Sequence, residues 1–258
     1  MFLLDNIPII CNLTKDAEYA DIFFLHDIHF GSELFDEQKW KALKKKIQGN
    51  DLAYVCWIGD VMENAIPNSK SNMFTQKYSP AEQKEWAAQE LFDLRNKTIA
   101  VVAGNHENNR TTKTSGLYPL YDICMFAGVD KKYRDTTAYI DIGVGRAKNK
   151  NKQVHYFGQI QHVSRESLNC GYSDYTDGID FFAFGHDHKP IDRPRAKMVF
   201  DHHNKVIYKR NVENINCGSF CKFGGYGAKS AYRPQSDKMY TLRIFGGEKK
   251  METTGFYV

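Results

Sequence analysis

The chain has 258 residues, of which 42% are hydrophobic and 26% are charged, so it is long enough to bury a substantial core. No apolar run reaches the length of a membrane span, and Asp5 comes too early for a secretory signal. We therefore expect a cytoplasmic protein with no membrane partner. The formal net charge of +4 permits an anionic partner without requiring one, and six cysteines, mostly far apart, favour a reducing compartment.

The first half of the chain alternates apolar strands with helices. A strand over residues 22–25 precedes a predicted helix over 33–48, which Ser32 caps. A second strand, 52–58, is followed by a polar connection and by a helix from 80 to about 95, which begins with a capping box at Ser79. A third strand, 99–103, precedes a helix over 117–126. This alternation predicts parallel strands with helices on both faces of the sheet.

The second half of the chain contains short strand-like pieces and few helix signals. These pieces predict a second sheet, mixed or antiparallel, packed on the first. No repeat or linker divides the sequence, so we expect a single domain over residues 1–258. The predicted strands cover residues 136–142, 153–160, 180–184, 197–200, 205–208, 239–244 and 251–257.

Four apolar strands end in residues that can bind a metal or move a proton. Any one of these endings can arise by chance as a turn or a cap, but four in one chain are hard to explain by packing. The glycines among them allow close approach of the backbone. In chain order the endings are Asp27-Ile28-His29, Gly59-Asp60, Gly104-Asn105-His106-Glu107 and Gly185-His186-Asp187-His188.

These residue types suit divalent cations that hydrolyse phosphate esters, which prefer carboxylate, amide oxygen and neutral imidazole ligands. A pair of such ions about 3.5–4 Å apart needs a bridging ligand, and a carboxylate with two oxygens suits that role. A further histidine at the end of a strand, His162, completes the set, with His155 as the alternative. The candidate metal ligands are Asp27, His29, Asp60, Asn105, His162, His186 and His188.

The order and spacing of these motifs resemble the calcineurin-like metallophosphoesterase superfamily, including the turn Asn216-Cys217-Gly218-Ser219. The resemblance implies an α/β fold, a four-layer αββα sandwich around two central mixed sheets. It implies that one ion is held by Asp27, His29 and His188. It implies that Asp60 bridges and that the other ion is held by Asn105, His162 and His186.

The same resemblance assigns catalysis to His106 and Asp60. His106 would be the general acid, or would steady the transferring phosphoryl oxygen. Arg110 and Lys113 lie just beyond this histidine and could meet a phosphate, so the candidate substrate-binding residues are Asn105, His106 and Arg110. Two residues depart from the family pattern. Glu63 stands where Asp or Asn is usual, with Asn64 as a possible substitute, and His162 lacks the glycine that commonly follows it. Glu63, Asn64 and Glu107 are expected to orient their neighbours.

The motifs indicate the substrate class less directly than they indicate the metal ligands. The arginines typical of protein phosphatases are absent beside Asn64 and at Ala103, and the motifs look similar to nuclease and phosphodiesterase branches, including bacteriophage members. Aromatic residues could stack on bases, although ordinary packing explains them equally well, and the glycine-rich stretch 222–229 could form a flexible lip. The aromatic residues are Tyr172, Tyr175, Phe220, Phe223 and Tyr226.

The sequence therefore predicts a phosphoesterase that hydrolyses phosphodiester bonds of nucleic acid or nucleotides with a hydroxide that bridges two divalent cations. Manganese is the expected metal, with iron, zinc, nickel, cobalt or magnesium as alternatives. Two other functions stay open: a nucleotide phosphomonoesterase, and a catalytically idle metal-binding scaffold for nucleic acid or a partner protein.

Overall fold

The polar strand endings are carried by two packed β-sheets. The structure, a computed structural model, describes residues 7–67, 69–146, 152–163, 176–225 and 233–258. The first sheet has six strands, which in spatial order are β13 (Met251–Phe256), β12 (Met239–Phe245), β2 (Tyr19–Leu25), β3 (Ala53–Ile58), β4 (Thr98–Val102) and β5 (Tyr133–Arg134).

The second sheet has seven strands. In spatial order they are β1 (Ile9–Asn12), β6 (Thr137–Val144), β7 (Val154–His162), β8 (Phe181–Gly185), β11 (Val206–Cys217) and β10 (Arg195–Asp201), and β9 (Pro190–Asp192) also pairs with β11. Both sheets are mixed, because each contains parallel and antiparallel pairs. The expected class, α/β with two central mixed sheets, is confirmed.

Helices cover the six-stranded sheet on one face only. Within the described ranges the α-helical segments are α1 (Glu37–Gln48), α2 (Pro80–Asp93), α3 (Lys113–Ser115) and α4 (Pro119–Ala127). Strands β2 to β5 are parallel neighbours in chain order, so right-handed crossovers place α1, α2 and α4 on the same face. The opposite face packs on the seven-stranded sheet through β3 and β4 against β6 and β7. The prediction of helices on both faces of the first sheet is therefore wrong.

Two further boundaries differ from the prediction. Helix α1 begins after Asp36, whose carboxylate accepts the Lys39 N–H at 3.1 Å, while the Ser32 hydroxyl accepts from Leu34 in the preceding turn. Strands β12 and β13 join the first sheet rather than the second, because β12 pairs with β2. The capping box at Ser79 is confirmed. Among the described residues no helix is both long and apolar enough to cross a membrane.

Candidate metal centre

The candidate ligands lie on loops at one edge of the two sheets. Strands β2, β3 and β4 are parallel, so their carboxyl ends lie at the same edge. Strands β7 and β8 of the other sheet are also parallel, and they end at His162 and Gly185, which are paired in register. The structure brings all seven predicted ligand side chains together there, as the contacts below describe. In each of three groups of residues, the ligating atoms lie within 4.8 Å of one another. The groups are Asp27, His29 and His188; His29, Asp60 and His106; and Asp60, His162 and His186.

The backbone at this edge is strained. Left-handed φ angles are uncommon for residues with a Cβ atom and cost about 1–3 kcal/mol each, and they cluster at functional sites. Seven non-glycine residues of the described chain adopt them, and five of the seven are candidate ligands. The five are Asp27, His29, Asp60, His186 and His188, with φ between 49° and 100°.

Glycine is required where the loops touch. A Cβ atom on Gly104 would overlap the backbone nitrogen and Oδ1 of Asp60, and one on Gly59 would lie 2.5 Å from Cα of Gly104. Gly59 also has a φ of +71°. The loops after β3 and β4 can therefore lie against each other only because both residues lack side chains.

Asp27 directs one carboxylate oxygen into the cluster. Its Oδ2 accepts from the His186 backbone N–H at 2.8 Å and lies 2.7 Å from Nδ1 of His26. Since Nε2 of His26 accepts the Cys217 N–H at 2.9 Å, its proton is on Nδ1. The other oxygen, Oδ1, is buried without a hydrogen-bond partner and lies 3.4 Å from Nε2 of His188. An unsatisfied buried carboxylate oxygen is costly unless a cation occupies the space in front of it.

Asp60 lies between the two groups of ligands. Its Oδ1 accepts the His106 N–H at 2.8 Å, while its Oδ2 lies 3.2 Å from Nε2 of His162 and 3.6 Å from Nε2 of His106. Oδ1 is therefore engaged by the backbone, and Oδ2 is the oxygen that faces the candidate ligands. Burial would raise the pKa of Asp60, but the surrounding imidazoles of His106, His162 and His29 hold it well below its usual range.

Three donor atoms converge around the second group. Nδ1 of His162 lies 2.7 Å from the carbonyl of Ile58, which leaves the Nε2 lone pair facing inward. That nitrogen lies 3.2 Å from Oδ1 of Asn105 and 3.3 Å from Nδ1 of His186, which itself lies 2.7 Å from the same amide oxygen. Burial would lower the pKa of His162, but Asp60 and Asp27 raise it to about 10.

The first group is arranged in a similar way. Nδ1 of His29 lies 3.0 Å from Oε2 of Glu63, and Nε2 of His29 lies 3.2 Å from Nε2 of His188. Burial would lower the pKa of His29, but the carboxylates of Glu63, Asp60 and Asp27 raise it to about 9. A carboxylate behind a histidine fixes which ring nitrogen faces a metal. Glu63 is placed for this role in spite of its extra methylene.

The donor set fits divalent cations. Ligands about 2.0–2.2 Å from an ion are separated from one another by roughly 3.0–3.5 Å. Neighbouring inward-facing atoms of the two groups are 2.7 to 3.9 Å apart, and most of these distances are 3.2 to 3.4 Å. The raised pKa values of His29 and His162 come from the buried carboxylates of Glu63, Asp60 and Asp27, so the site gathers negative charge in the interior around the orphaned Oδ1 of Asp27. Carboxylate, amide and imidazole donors suit manganese, iron, zinc, nickel or cobalt.

Glu107 ties the loops together and points away from the donors. Its buried carboxylate accepts three backbone N–H groups, from Asp60 at 3.1 Å, Met62 at 3.0 Å and Gly104 at 3.0 Å. Burial, together with the nearby Asp60, raises its pKa. Asn64, the other residue expected to orient neighbours, donates to the His106 carbonyl at 2.7 Å.

His106 and Arg110 stand beside the ligand cluster. Nδ1 of His106 lies 2.8 Å from the Glu63 carbonyl, so Nε2 is the nitrogen that accepts from Arg110, also at 2.8 Å. Arg110 also donates to the Glu63 carbonyl at 2.6 Å. Burial lowers the pKa of His106 to about 4, with help from the charges of His29 and Arg110 and against Asp60 and Glu63. In this arrangement His106 is a neutral imidazole.

Several sequence candidates lie elsewhere or have roles that the sequence did not reveal. His155 lies outside the cluster, half exposed, with Nδ1 2.7 Å from Oδ1 of Asp141. His26 contacts a candidate ligand, and only its place next to Asp27 could have indicated this. Phe220 is buried in the core and Phe223 is exposed. Tyr172, Tyr175, Tyr226 and residues 226–229 of the glycine-rich stretch lie outside the described residues.

No protein-family model matches the chain, and no curated protein matches it. Among solved structures, the chain is similar to a predicted phosphoesterase from Streptococcus pneumoniae TIGR4, at 12% identity and a TM-score of 0.42, over 93% of this chain and 91% of that one. It is similar to the calcineurin-like phosphoesterase YfkN from Bacillus subtilis, at 10% and 0.40, over 92% and 90%. It is also similar to Vacuolar Protein Sorting 29 from Cryptosporidium parvum, at 12% and 0.42, over 94% and 100%.

These similarities extend over most of each chain. At TM-scores below 0.5 and identities near one tenth, this likeness by itself says nothing of the activity of the chain. What the site can do has to follow from its own geometry.

Proposed function

We propose that the protein is a dinuclear metal-dependent phosphoesterase that hydrolyses phosphodiester bonds, with nucleic acid or nucleotides as its substrates. The observation that carries the proposal is the orphaned Oδ1 of Asp27, buried at the centre of converging imidazole nitrogens. One ion would be held by Asp27, His29 and His188, and the other by Asn105, His162 and His186, with Asp60 shared between them. Manganese would be the preferred metal.

The chemistry divides between the ions and the side chains. Bound cations would supply activation of a water molecule and neutralisation of phosphoryl oxygens. Asn105 and Arg110 would bind the phosphoryl group, because a guanidinium presents paired N–H donors to its oxygens. Arg110 is anchored to Glu63 through one nitrogen and reaches His106 through the other, so a phosphoryl oxygen can replace His106 as the second partner.

His106 would act on the leaving group. Its Nδ1 is fixed by the Glu63 carbonyl, so a proton can be delivered only from Nε2, the nitrogen that faces Asp60. When Arg110 turns to the phosphoryl group, Nε2 is free to take up a proton and pass it to the departing oxygen. Protonated Nε2 would equally steady a phosphoryl oxygen, and the same substitution tests both roles.

The reaction class is tested with two model substrates. We expect manganese-stimulated hydrolysis of bis-p-nitrophenyl phosphate, loss of activity on chelation, and its return when manganese is added back. Preference for p-nitrophenyl phosphate would instead favour the monophosphatase. Tight metal binding without hydrolysis of either ester would contradict the proposal and favour an idle scaffold.

Replacing His106 by asparagine should lower turnover by about 10²–10⁴-fold, the range for loss of general acid catalysis, while metal content stays that of the unmodified protein. The His106 ring contacts two candidate ligands, Asp60 and His29, but is not itself a proposed ligand. The ions should therefore remain bound in the variant. Metal analysis of the purified variant, together with kcat on the diester, provides the measurement. Loss of metal together with activity would show that His106 is a ligand instead.

A further inference from the structure

Strands β10 and β11 leave the second sheet as a two-stranded ribbon, formed by Arg195–Asp201 and Val206–Val212. Strand β8 pairs with β11 only at Glu213–Ile215, so the first seven residues of β11 pair with β10 alone. Strand β10 has one neighbouring strand among those described and forms an edge of the sheet. An isolated two-stranded hairpin is marginally stable in water, so this ribbon is a place where another strand would add stability.

One face of the ribbon is apolar and exposed. Residues directly opposite each other in an antiparallel pair share a face, so the register puts Met198 with Lys209 and Phe200 with Ile207. Met198 is 69% exposed, Ile207 64% and Phe200 47%, and Ala196 is also exposed. Exposed apolar side chains on a strand at a sheet edge favour pairing with another chain.

The ribbon lies far from the candidate metal centre. The carboxyl end of β11, at Cys217, bonds to His26 beside the ligands. Val206, at the opposite end of the strand, is eleven residues away, about 36 Å at 3.3 Å per residue. A substrate held at the metals therefore does not explain the exposed face. The face also carries one cation, Lys209, among its apolar side chains, which is poor for a nucleic-acid surface.

The sequence of β10 is complementary to itself when the strand is reversed. If two copies of Arg-Ala-Lys-Met-Val-Phe-Asp run antiparallel about Met198, Arg195 of each copy faces Asp201 of the other. Ala196 then faces Phe200, and Met198 faces its own symmetry mate. Opposite charges directly across a strand pair are stabilising. On one face the pattern combines Ala196, Met198 and Phe200 in apolar contacts; on the other face it places an ion pair at each end, with Lys197 opposite Val199 between them.

We propose that two copies of this chain associate through antiparallel pairing of their β10 strands, with a twofold axis at Met198. The pairing turns two ribbons into one four-stranded sheet, in which the exposed face of each ribbon continues into the other. A twofold interface of this kind is closed, so it yields a dimer rather than a fibre. The inference does not depend on the proposed activity.

A cysteine at the axis tests this geometry. In Met198→Cys the two new thiols would face each other across a strand pair, with Cα atoms about 4.5–5.5 Å apart, within the range of a disulfide. Mild oxidation should yield a covalent dimer on a non-reducing gel. The matched control, Ile207→Cys, lies on the same face, but its symmetry mate is three strand spacings across the sheet and four residues along it, roughly 19 Å away. The unmodified chain corrects for native cysteines.

Sedimentation gives the second measurement. The unmodified protein should form a dimer in a concentration-dependent equilibrium. Met198→Asp, which places two carboxylates at the axis, should raise the dimer dissociation constant on the order of tenfold or more and leave diester hydrolysis unchanged. A monomer at all concentrations, or equal crosslinking of the two cysteine variants, would overturn the proposal. A monomer at all concentrations would mean that any strand that pairs with β10 belongs to a different protein.

Discussion

Replacing His162 by alanine should remove one of the two ions and lower diester hydrolysis by roughly 10³–10⁵-fold, which corresponds to the several kcal/mol that a catalytic cation supplies. The side chain is expected to be a ligand because Nε2 faces Oδ2 of Asp60 and Oδ1 of Asn105, at 3.2 Å from each. The measurement is bound metal per chain by elemental analysis, with kcat on bis-p-nitrophenyl phosphate.

His155 supplies a matched control on the same strand. It is seven residues away from His162, and an odd separation along a strand places two side chains on opposite faces. His155→Ala breaks a half-exposed contact with Asp141, so metal content and turnover should stay within a factor of about two. If the His155 variant loses metal while the His162 variant retains it, the ligand assignment is wrong.

Replacing Glu107 by alanine should lower the free energy of unfolding of the metal-free protein by about 3–9 kcal/mol, because three buried backbone N–H groups lose their acceptor at about 1–3 kcal/mol each. For a chain of this size, at about 2–4 °C per kcal/mol, the melting temperature should fall by roughly 6–36 °C. Thermal unfolding in the presence of a chelator is the measurement, since it separates stability from metal binding. The loops of Asp60 and Gly104 should then lose their fixed geometry, and metal affinity with it.

Glu82 is the control for Glu107. It too accepts a backbone N–H, that of Ser79 at 2.8 Å, but it is exposed and serves only as half of a capping box. Glu82→Ala should cost about 1 kcal/mol or less. Equal losses in the two variants would mean that the buried position of Glu107 contributes nothing.

The convergence of the strand endings could be predicted from the sequence alone. Apolar runs that end in Asp27, Asp60 and Asn105 indicate parallel strands, and such strands have their carboxyl ends at one edge. That prediction needs only local patterns and one rule of topology. The same patterns predicted the capping box of α2 and the two-sheet class, both of which the structure confirms.

Long-range features could not be read in this way. The alternation in Met239–Phe245 predicts a strand, but it does not say that the strand pairs with β2, more than 200 residues earlier. From the sequence alone His26 is expected to be structural, since adjacent residues of an extended segment point to opposite sides. Its contact with Asp27 depends on the Cys217 backbone, which fixes its tautomer. A departure such as Glu63 is also ambiguous until the distance from its carboxylate to His29 is known.

The left-handed backbone at the ligand loops creates a conflict between function and stability, because the side chains that the site needs are strained in this conformation. At Asp27, Asp60 or His188 a glycine would relieve the conformational penalty, so random substitution followed by selection for heat resistance alone should accumulate glycine at these places. Such variants would withstand heat better but would lack the proposed metal ligands and the activity that depends on them. Under the proposed function, retention of aspartate and histidine at these positions in natural variants would indicate selection for metal binding rather than for stability.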